Sequence, residues 1–315
     1  MKRIRSFLLL LFRTRHGRPL AAAMLSVFAL LMFFPNSSPF KTYRLDLFDS
    51  YQTYMPRERK SAPVIIVGID ENSLKLYGQW PWPRTILAEL LDRLMSCKPA
   101  AIGVDIIMPE PDRSSPSRMA DSLPQLSDAL RRSLKSLPDN DHLLAAALTG
   151  KPVVLGAAGF DYATPATAQT MRTAPIVAKG GDPSPYVRKF IAVLKSLPEL
   201  EDAASSQALL NADLEKGVVR RIPMIAAVGD ILVPTLSVEM LRVAEGLPAI
   251  NVEVGSRGIT GVGPGDIRIP TQANGEAWVN FSKFLPERYI SAADVLAGRF
   301  NPDLIERYLV LIGFT

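Results

Sequence analysis

The chain has 315 residues, 48% of them hydrophobic, with 36 Lys and Arg against 31 Asp and Glu, a net charge of +5 and one cysteine. This length holds one large domain or two small ones, and a lone cysteine excludes an intramolecular disulfide framework. The charge excess is local: Lys2, Arg3, Arg5, Arg13, Arg15 and Arg18 precede every acidic residue, and without these six the balance is 30 basic against 31 acidic. A near-neutral body disfavours a nucleic-acid partner.

In chain order, the basic arm leads into an apolar run from Leu20 to Phe34, bounded by Pro19 and Pro35 and interrupted only by Ser26. Fifteen helical residues rise about 22 Å, short of a hydrocarbon core of roughly 30 Å, so the span relies on a snorkelling Arg18 and local thinning. A basic segment before a short apolar one also fits a cleaved signal peptide, or a core helix. The long charged arm and the poor cleavage context Asn36-Ser37-Ser38 favour an uncleaved signal anchor. The positive side then stays in the cytoplasm and the body lies outside. The expected boundaries are a cytoplasmic arm over 1–18, an anchor over 19–35, a juxtamembrane helix over 40–56 and an extracytoplasmic domain over 61–315.

Tyr43, Leu47, Phe48, Tyr51 and Met55 recur at helical spacing. They give the juxtamembrane helix one apolar face, able to pack on its own domain or on a second copy. A strand over 63–69 ends on Asp70, and after a turn comes Trp80-Pro81-Trp82-Pro83-Arg84. Pro83 suits a helix start, and Ile86, Leu87, Leu90, Leu91 and Leu94 form an apolar stripe. Pro99 ends that helix, and a second strand, Ala101-Ile102-Gly103-Val104, ends on Asp105. The 110–140 stretch is polar, but leucines at 123, 126, 130, 134 and 137 keep helical spacing. A helix over 141–148 and a third strand over 152–157 follow. Strands alternating with helices imply a mainly parallel sheet covered on both faces.

The 161–211 segment holds many prolines and one amphipathic pattern (Tyr186, Phe190, Ile191, Leu194, Leu197). It is expected to form a flap containing a helix. Beyond it, 218–225 and 231–234 predict a hairpin turned by Gly229-Asp230, followed by a helix over 235–244. Short antiparallel strands over 251–254, 259–262, 267–270 and 277–281 come next, with Asn274-Gly275 as a tight turn. A helix over 291–297 and a strand over 308–312 close the chain. The fold class expected is α/β: a mainly parallel sheet with flanking helices plus an antiparallel hairpin region, preceded by one N-terminal transmembrane helix.

Several segments resemble the type-two CHASE family, an extracytoplasmic sensory module of bacterial membrane receptors. They are the first strand with the WPWPR pentapeptide and the second strand, Asp213-Leu214-Glu215-Lys216-Gly217-Val218-Val219-Arg220-Arg221-Ile222-Pro223, and Pro234-Thr235-Leu236-Ser237-Val238-Glu239. Ile269-Pro270-Thr271 with Val279-Asn280-Phe281, residues 291–298 and Val310-Leu311-Ile312-Gly313 add to the likeness, which covers roughly 41–315 and is weakest over 110–140 and 161–211. The resemblance implies a ligand- or stimulus-sensing domain of a receptor in the bacterial inner membrane, with the domain in the periplasm. It also implies control of a cytoplasmic output domain, an adenylate or guanylate cyclase or a protein kinase, that the residues to Thr315 do not include. The chain itself is then not an enzyme. Its expected partners are the membrane, a small-molecule or periplasmic stimulus and a second copy of itself.

Ligands of open α/β sheets bind beyond the carboxyl ends of the strands. Asp70 and Asp105 sit at such ends, either as caps and turn residues or as holders of a polar ligand or hard cation. Arg84 in a helix's first turn opposes the macrodipole unless paired; Asp70, Asp105 or a bound anion is the expected partner. Trp80 and Trp82 either wall a ligand site or pack in the core. The candidate ligand-binding set is therefore Asp70, Trp80, Trp82, Arg84 and Asp105. No catalytic residue, metal site or cofactor is assigned. Arg220 and Arg221 alternate across a strand and suit a structural ion pair. Cys97, His16 and His142 form no metal-binding spacing, and Gly261-x-Gly263-x-Gly265 precedes a strand rather than the helix of a phosphate loop. The alternative function is a membrane-anchored, metal-dependent phosphoesterase using Asp70, Asp105 and Glu110.

Overall fold

A computed structural model of the chain describes residues 17–32, 38–58 and 63–315. Residues 1–16 of the expected 1–18 basic arm, the end of the expected anchor and residues 59–62 lie outside the described residues. Two compact units form. One takes the described residues up to Glu58 with Asn280–Lys283, and the other takes the rest.

In the first unit an apolar helix, Gly17–Met32, has 16 residues and rises about 24 Å. Among the described residues no helix is long and apolar enough to cross a membrane. A second helix, Ser38–Tyr54, forms where the 40–56 helix is expected. Its expected apolar face is not its packed face: Tyr43, Leu47, Tyr51 and Met55 are exposed, whereas Leu45 is buried. The helix end is tied to the returning chain by the Arg57 N–H, which donates to Phe281 O at 3.1 Å.

The second unit is built on a seven-stranded sheet. Its strands, in chain order, are β1 (Val64–Ile69), β2 (Ala101–Val104), β3 (Val153–Phe160), β4 (Ala192–Leu194), β5 (Ser206–Leu209), β6 (Tyr289–Ser291) and β7 (Leu309–Phe314). Across the sheet the order is β6, β1, β7, β2, β3. β5 then pairs parallel with the first half of β3, and β4 pairs antiparallel with its second half. Every other pairing is parallel. The expected mainly parallel sheet is present.

Period-two alternation sends side chains to two different layers. Ile65, Val67 and Ile69 of β1, Ile102 and Val104 of β2, Val153 and Leu155 of β3, and Val310 and Ile312 of β7 share one core. The stripe of the Arg84–Ser96 helix, Leu87, Leu90, Leu91 and Leu94, packs into it, with Leu144 and Leu148 of the Asn140–Leu148 helix and Val295 of the Ala292–Leu296 helix. On the opposite face Val154 and Ala208 meet Leu236 and Met240 of the Leu236–Ala244 helix. The same helix sends Val238 into the core of the antiparallel region, with Ile225, Ile250, Val252, Ile259 and Val262. One helix therefore serves two sheets.

Two expectations change in the 161–211 segment. It is not a flap, because it supplies β4 and β5 to the central sheet and Ile176–Lys179 to the antiparallel region, parallel to Ile250–Gly255. Its predicted helix is instead two short strands, Lys189–Phe190 and β4. Buried Phe190, Ala192 and Val193 fill tertiary slots that helical spacing had disguised. Farther on, Ile225–Val228 and Ile231–Pro234 form the expected hairpin, with Val228 opposite Ile231 across Gly229-Asp230; Gly229 has φ 57°, which an L side chain adopts rarely. The residues before it are divided: Val218–Val219 pairs with Leu214–Glu215, and Arg221–Pro223 with Glu276–Trp278. Asn274-Gly275 does form a turn, but its flanks pair elsewhere, Ile269–Pro270 with Gly258–Pro264. The 110–140 stretch contains two short helices, Pro116–Ser122 and Asp128–Lys135.

Leu90 is fully buried where the Arg84–Ser96 helix meets the sheet. Leu90→Ala should lower the unfolding free energy by about 2–5 kcal/mol in denaturant titrations; a change within experimental error would contradict this placement.

Candidate functional site

The expected pairing of Arg84 with Asp70 or Asp105 does not form. β7 lies between β1 and β2, so the ends bearing the two acids are two strand spacings, about 10 Å, apart. Asp70 is a helix cap. Its Oδ1 accepts from the Ser73 main-chain N–H at 2.8 Å, from Ser73 Oγ at 2.6 Å and from Ser291 Oγ at 2.9 Å. Burial works against its charge, yet these hydrogen bonds hold its pKa below the ordinary value. Asp105 is exposed on the rim, where crowding by neighbouring strand ends removes water from its carboxyl and raises its pKa. Asp70, Asp105 and Glu110 do not assemble into the site that a phosphoesterase would need: among the described residues no three His, Cys, Asp or Glu side chains are grouped to hold a metal ion.

Arg84 finds its partners in the loop that follows β2 and in the first turn of the Asn140–Leu148 helix. Pro83 caps the Arg84–Ser96 helix without any side-chain acceptor, so the first N–H groups need one from elsewhere. Asp112 supplies it, its Oδ2 accepting from the Arg84 main-chain N–H at 2.7 Å. Asn140 Nδ2 donates to the same oxygen at 2.9 Å, and Ser114 donates to Oδ1 through its main-chain N–H at 2.8 Å and its hydroxyl at 2.7 Å. A carboxylate at this helix start offsets the unfavourable position of the guanidinium. The guanidinium itself turns inward. Its Nε lies 3.4 Å from Asp141 Oδ1, and Nη2 donates to Glu110 O at 3.2 Å. Asp141 Oδ2 accepts from the Asp112 main-chain N–H at 2.8 Å.

Both ends of this ion pair are buried, with 8% of the Arg84 side chain exposed and 3% of Asp141. Burial pushes the Asp141 pKa up, and nearby Asp139 and Asp112 add to this against the pull of the Asp112 N–H and Arg84. Asp112 goes the other way: burial opposes its charge, but the hydrogen bonds from Arg84, Asn140 and Ser114 outweigh it and lower its pKa. Asp112, Ser114, Asn140 and Asp141 were not among the predicted site residues. The only local signal for them is Asp139-Asn140-Asp141 ahead of an apolar helix, where Asp139 Oδ1 accepts from the Asp141 N–H at 2.9 Å.

Beside this cluster lies a cavity of about 430 Å³. The WPWPR segment forms one wall, and Ile107 with residues 109–114 forms the other. Each wall follows the carboxyl end of a strand, β1 and β2 respectively, which is where open α/β sheets place ligands. Trp80 is half-buried and meets Phe314 of β7 edge to face, with ring centroids 4.8 Å apart. Trp82 is 1% exposed and belongs to the core, its Nε1 donating to Gly78 O at 2.9 Å. The cavity thus gathers Trp80, Trp82 and Arg84 and leaves out Asp70 and Asp105. A shallower groove of about 580 Å³ runs along the Arg84–Ser96 helix beside Leu143. Its charges are already committed, Arg93 to Glu89 and Asp92 to Lys151, so it presents few free polar groups to a ligand. Arg220 and Arg221 are structural: Arg220 is buried and donates to Glu215 O, while Arg221 pairs with Glu215 and Glu276 over the Trp278 ring.

Residues 22–315 match the model of the CHASE2 domain. The chain belongs to this family of sensory domains. No curated protein and no solved structure matches the chain.

Two outcomes follow for the buried cluster. Arg84→Ala strands Asp141 without its cation, and at neutral pH the loss should be about 3–5 kcal/mol. Arg84→Ala combined with Asp141→Asn should recover part of it in the same unfolding assay; no recovery would show that the pair is not coupled. The pH dependence has two signs. Asp112, lowered from 3.8, contributes stability above that pH that is lost as pH falls through its folded pKa. Asp141, raised from 3.8, contributes below that pH and loses its contribution as pH rises through its folded pKa. Asp112→Asn should therefore flatten the acid limb of the stability profile, and an unchanged limb would count against its role.

Proposed function

We propose that this chain is the extracytoplasmic stimulus-sensing domain of a transmembrane signalling receptor in the bacterial inner membrane, and that it controls a cytoplasmic output domain. The observation that carries this reading is the CHASE2 match over 22–315 together with the cavity at the carboxyl ends of β1 and β2. A sensory family supplies the class of function, and the cavity supplies a place for a small-molecule stimulus against Trp80, with Trp82 and Arg84 buried behind its wall. An adenylate or guanylate cyclase is the favoured output, by resemblance to the family's cyclase-linked members. Six basic residues ahead of the apolar Leu20–Phe34 run support an anchor with its amino terminus in the cytoplasm. The exposed Tyr43, Leu47, Tyr51 and Met55 face supports pairing with a second copy.

In this reading the chain binds and transmits but does not turn over substrate. A ligand shifts a two-state equilibrium only through different affinities for the two states. The contact of Trp80 with Phe314 provides a route from the cavity wall to β7.

The test is made on fusions. Alkaline phosphatase, active only outside the cytoplasm, should be active when joined after Glu58 or after Thr315, while a cytoplasm-dependent reporter should be silent at both. The reverse pattern would remove the proposal. Purified chain incubated with ATP or GTP and magnesium or manganese should form no cyclic nucleotide; turnover would make it an enzyme instead. In the full receptor, Trp80→Ala should change cyclic-nucleotide output while leaving the amount of folded protein unchanged.

A further inference from the structure

The cavity beside Arg84 has a charge pattern that narrows its ligand, an inference that rests on the sensory reading above. Its apolar surface comes from the Trp80 ring and from Pro81, Pro83, Ile107, Pro109 and Pro111, with buried Trp82 packed behind them. Prolines fix the backbone, so these walls present a stiff surface before any ligand arrives. Two of the charged residues around it are already engaged: Arg84 and Asp112 are held by each other, by Asp141, by Asn140 and by Ser114.

Two other charges are not engaged. Glu110 and Arg113 are exposed and line the same cavity. Among the described residues neither side chain makes a hydrogen bond or ion pair, with the other or with any neighbour. The Trp80 indole N–H likewise donates to no group within the described chain. A small anion would meet Arg113 but also the Glu110 carboxylate, and a small cation would meet the reverse. A neutral polyol would gain from neither charge. A molecule carrying both charges is attracted at both ends, and its cationic nitrogen gains further from the face of an indole ring.

We infer that the cavity takes a small zwitterion of the amino-acid or betaine class, its cationic nitrogen beside Glu110 and the Trp80 ring and its carboxylate on the Arg113 guanidinium. The apolar body of the molecule lies against the proline and tryptophan walls. A volume of about 430 Å³ accommodates such a molecule with several waters. Because both charges stand on an exposed rim, salt weakens this recognition.

The experiment is calorimetric titration of the purified chain, with tryptophan emission followed in parallel. The probes are glycine betaine and L-leucine as zwitterions, choline as the cation alone, isovalerate as the anion alone, and trehalose as a neutral polyol. Either zwitterion should bind at least about tenfold more tightly than choline or isovalerate, a difference of roughly 1.4 kcal/mol. Glu110→Gln and Arg113→Gln should each reduce zwitterion affinity by about tenfold, with unchanged circular dichroism and melting temperature. Added salt should weaken binding to the parent chain and have little effect on the double variant. Tighter binding of choline, isovalerate or trehalose than of both zwitterions would overturn the ligand class, while Trp80-dependent binding of any of them would leave the sensory reading standing. Zwitterion binding that survives both substitutions would overturn the assigned contacts. Failure of both zwitterions to bind at millimolar concentration would also overturn the inference, and the reporter fusions described above would still decide the sensory reading independently.

Discussion

The position of β7 governs the rest of the second unit. Consecutive parallel strands usually neighbour each other, yet β1 and β2 are held apart by Leu309–Phe314, which is hydrogen-bonded to β1 on one side and to β2 on the other. Val310 and Ile312 fill the core shared with the Arg84–Ser96 helix, and Leu311 faces the opposite layer. Without this strand the two parallel elements that bracket the cavity would have no common support. The same insertion separates Asp70 from Asp105 and brings Phe314 against Trp80. The rim of the sheet is therefore shaped by residues more than 220 positions away from the motif that lines the cavity.

A second constraint is electrostatic. The Arg84–Ser96 helix begins with a cation and a proline cap, an arrangement that leaves both the guanidinium and the first N–H groups in need of acceptors. The chain after β2 meets both needs at once. Asp112 caps the helix, Asp141 faces the guanidinium, and Asn140 and Ser114 complete the coordination of Asp112. Buried ion pairs contribute little net stability relative to apolar packing, but removing one partner is costly. Their effect here is positional: they fix the 109–114 loop opposite the WPWPR segment and so hold the two walls of the cavity at one distance.

The Leu236–Ala244 helix plays the corresponding part on the other face. Met240 sits over Gly103, where an added Cβ would press on its Sδ and the flexible thioether would have to move aside. Val238 on the neighbouring stripe reaches the antiparallel region. The internal ion pair of the buried Glu239 with Arg242 leaves the helix with its charge compensated between two apolar layers. A displacement of this helix would be felt by both sheets, because each uses different residues of the same rigid element.

Much of the fold was legible in the residues. The apolar runs of β1, β2 and β3, the stripe from Leu87 to Leu94, the Gly229-Asp230 hairpin and the helix after Thr235 all follow from short-range periodicity and turn chemistry, which act within a few residues. The same local rules failed for 186–197, where an apparently helical spacing belongs to two short strands, because the pairing partners Ala227–Val228 and Ala158–Phe160 that claim it are distant in sequence. On the Ser38–Tyr54 helix the same periodicity identified the element and its apolar stripe without saying what covers that stripe. Trp80, Trp82 and Arg84 were recognisable as unusual from their spacing alone. That Arg84 answers to Asp112 and Asp141, that Asp70 is a cap and that Asp105 stands apart were decided only by tertiary structure. Charge pairing and strand insertion depend on which distant segments meet, and no local pattern of residues encodes that.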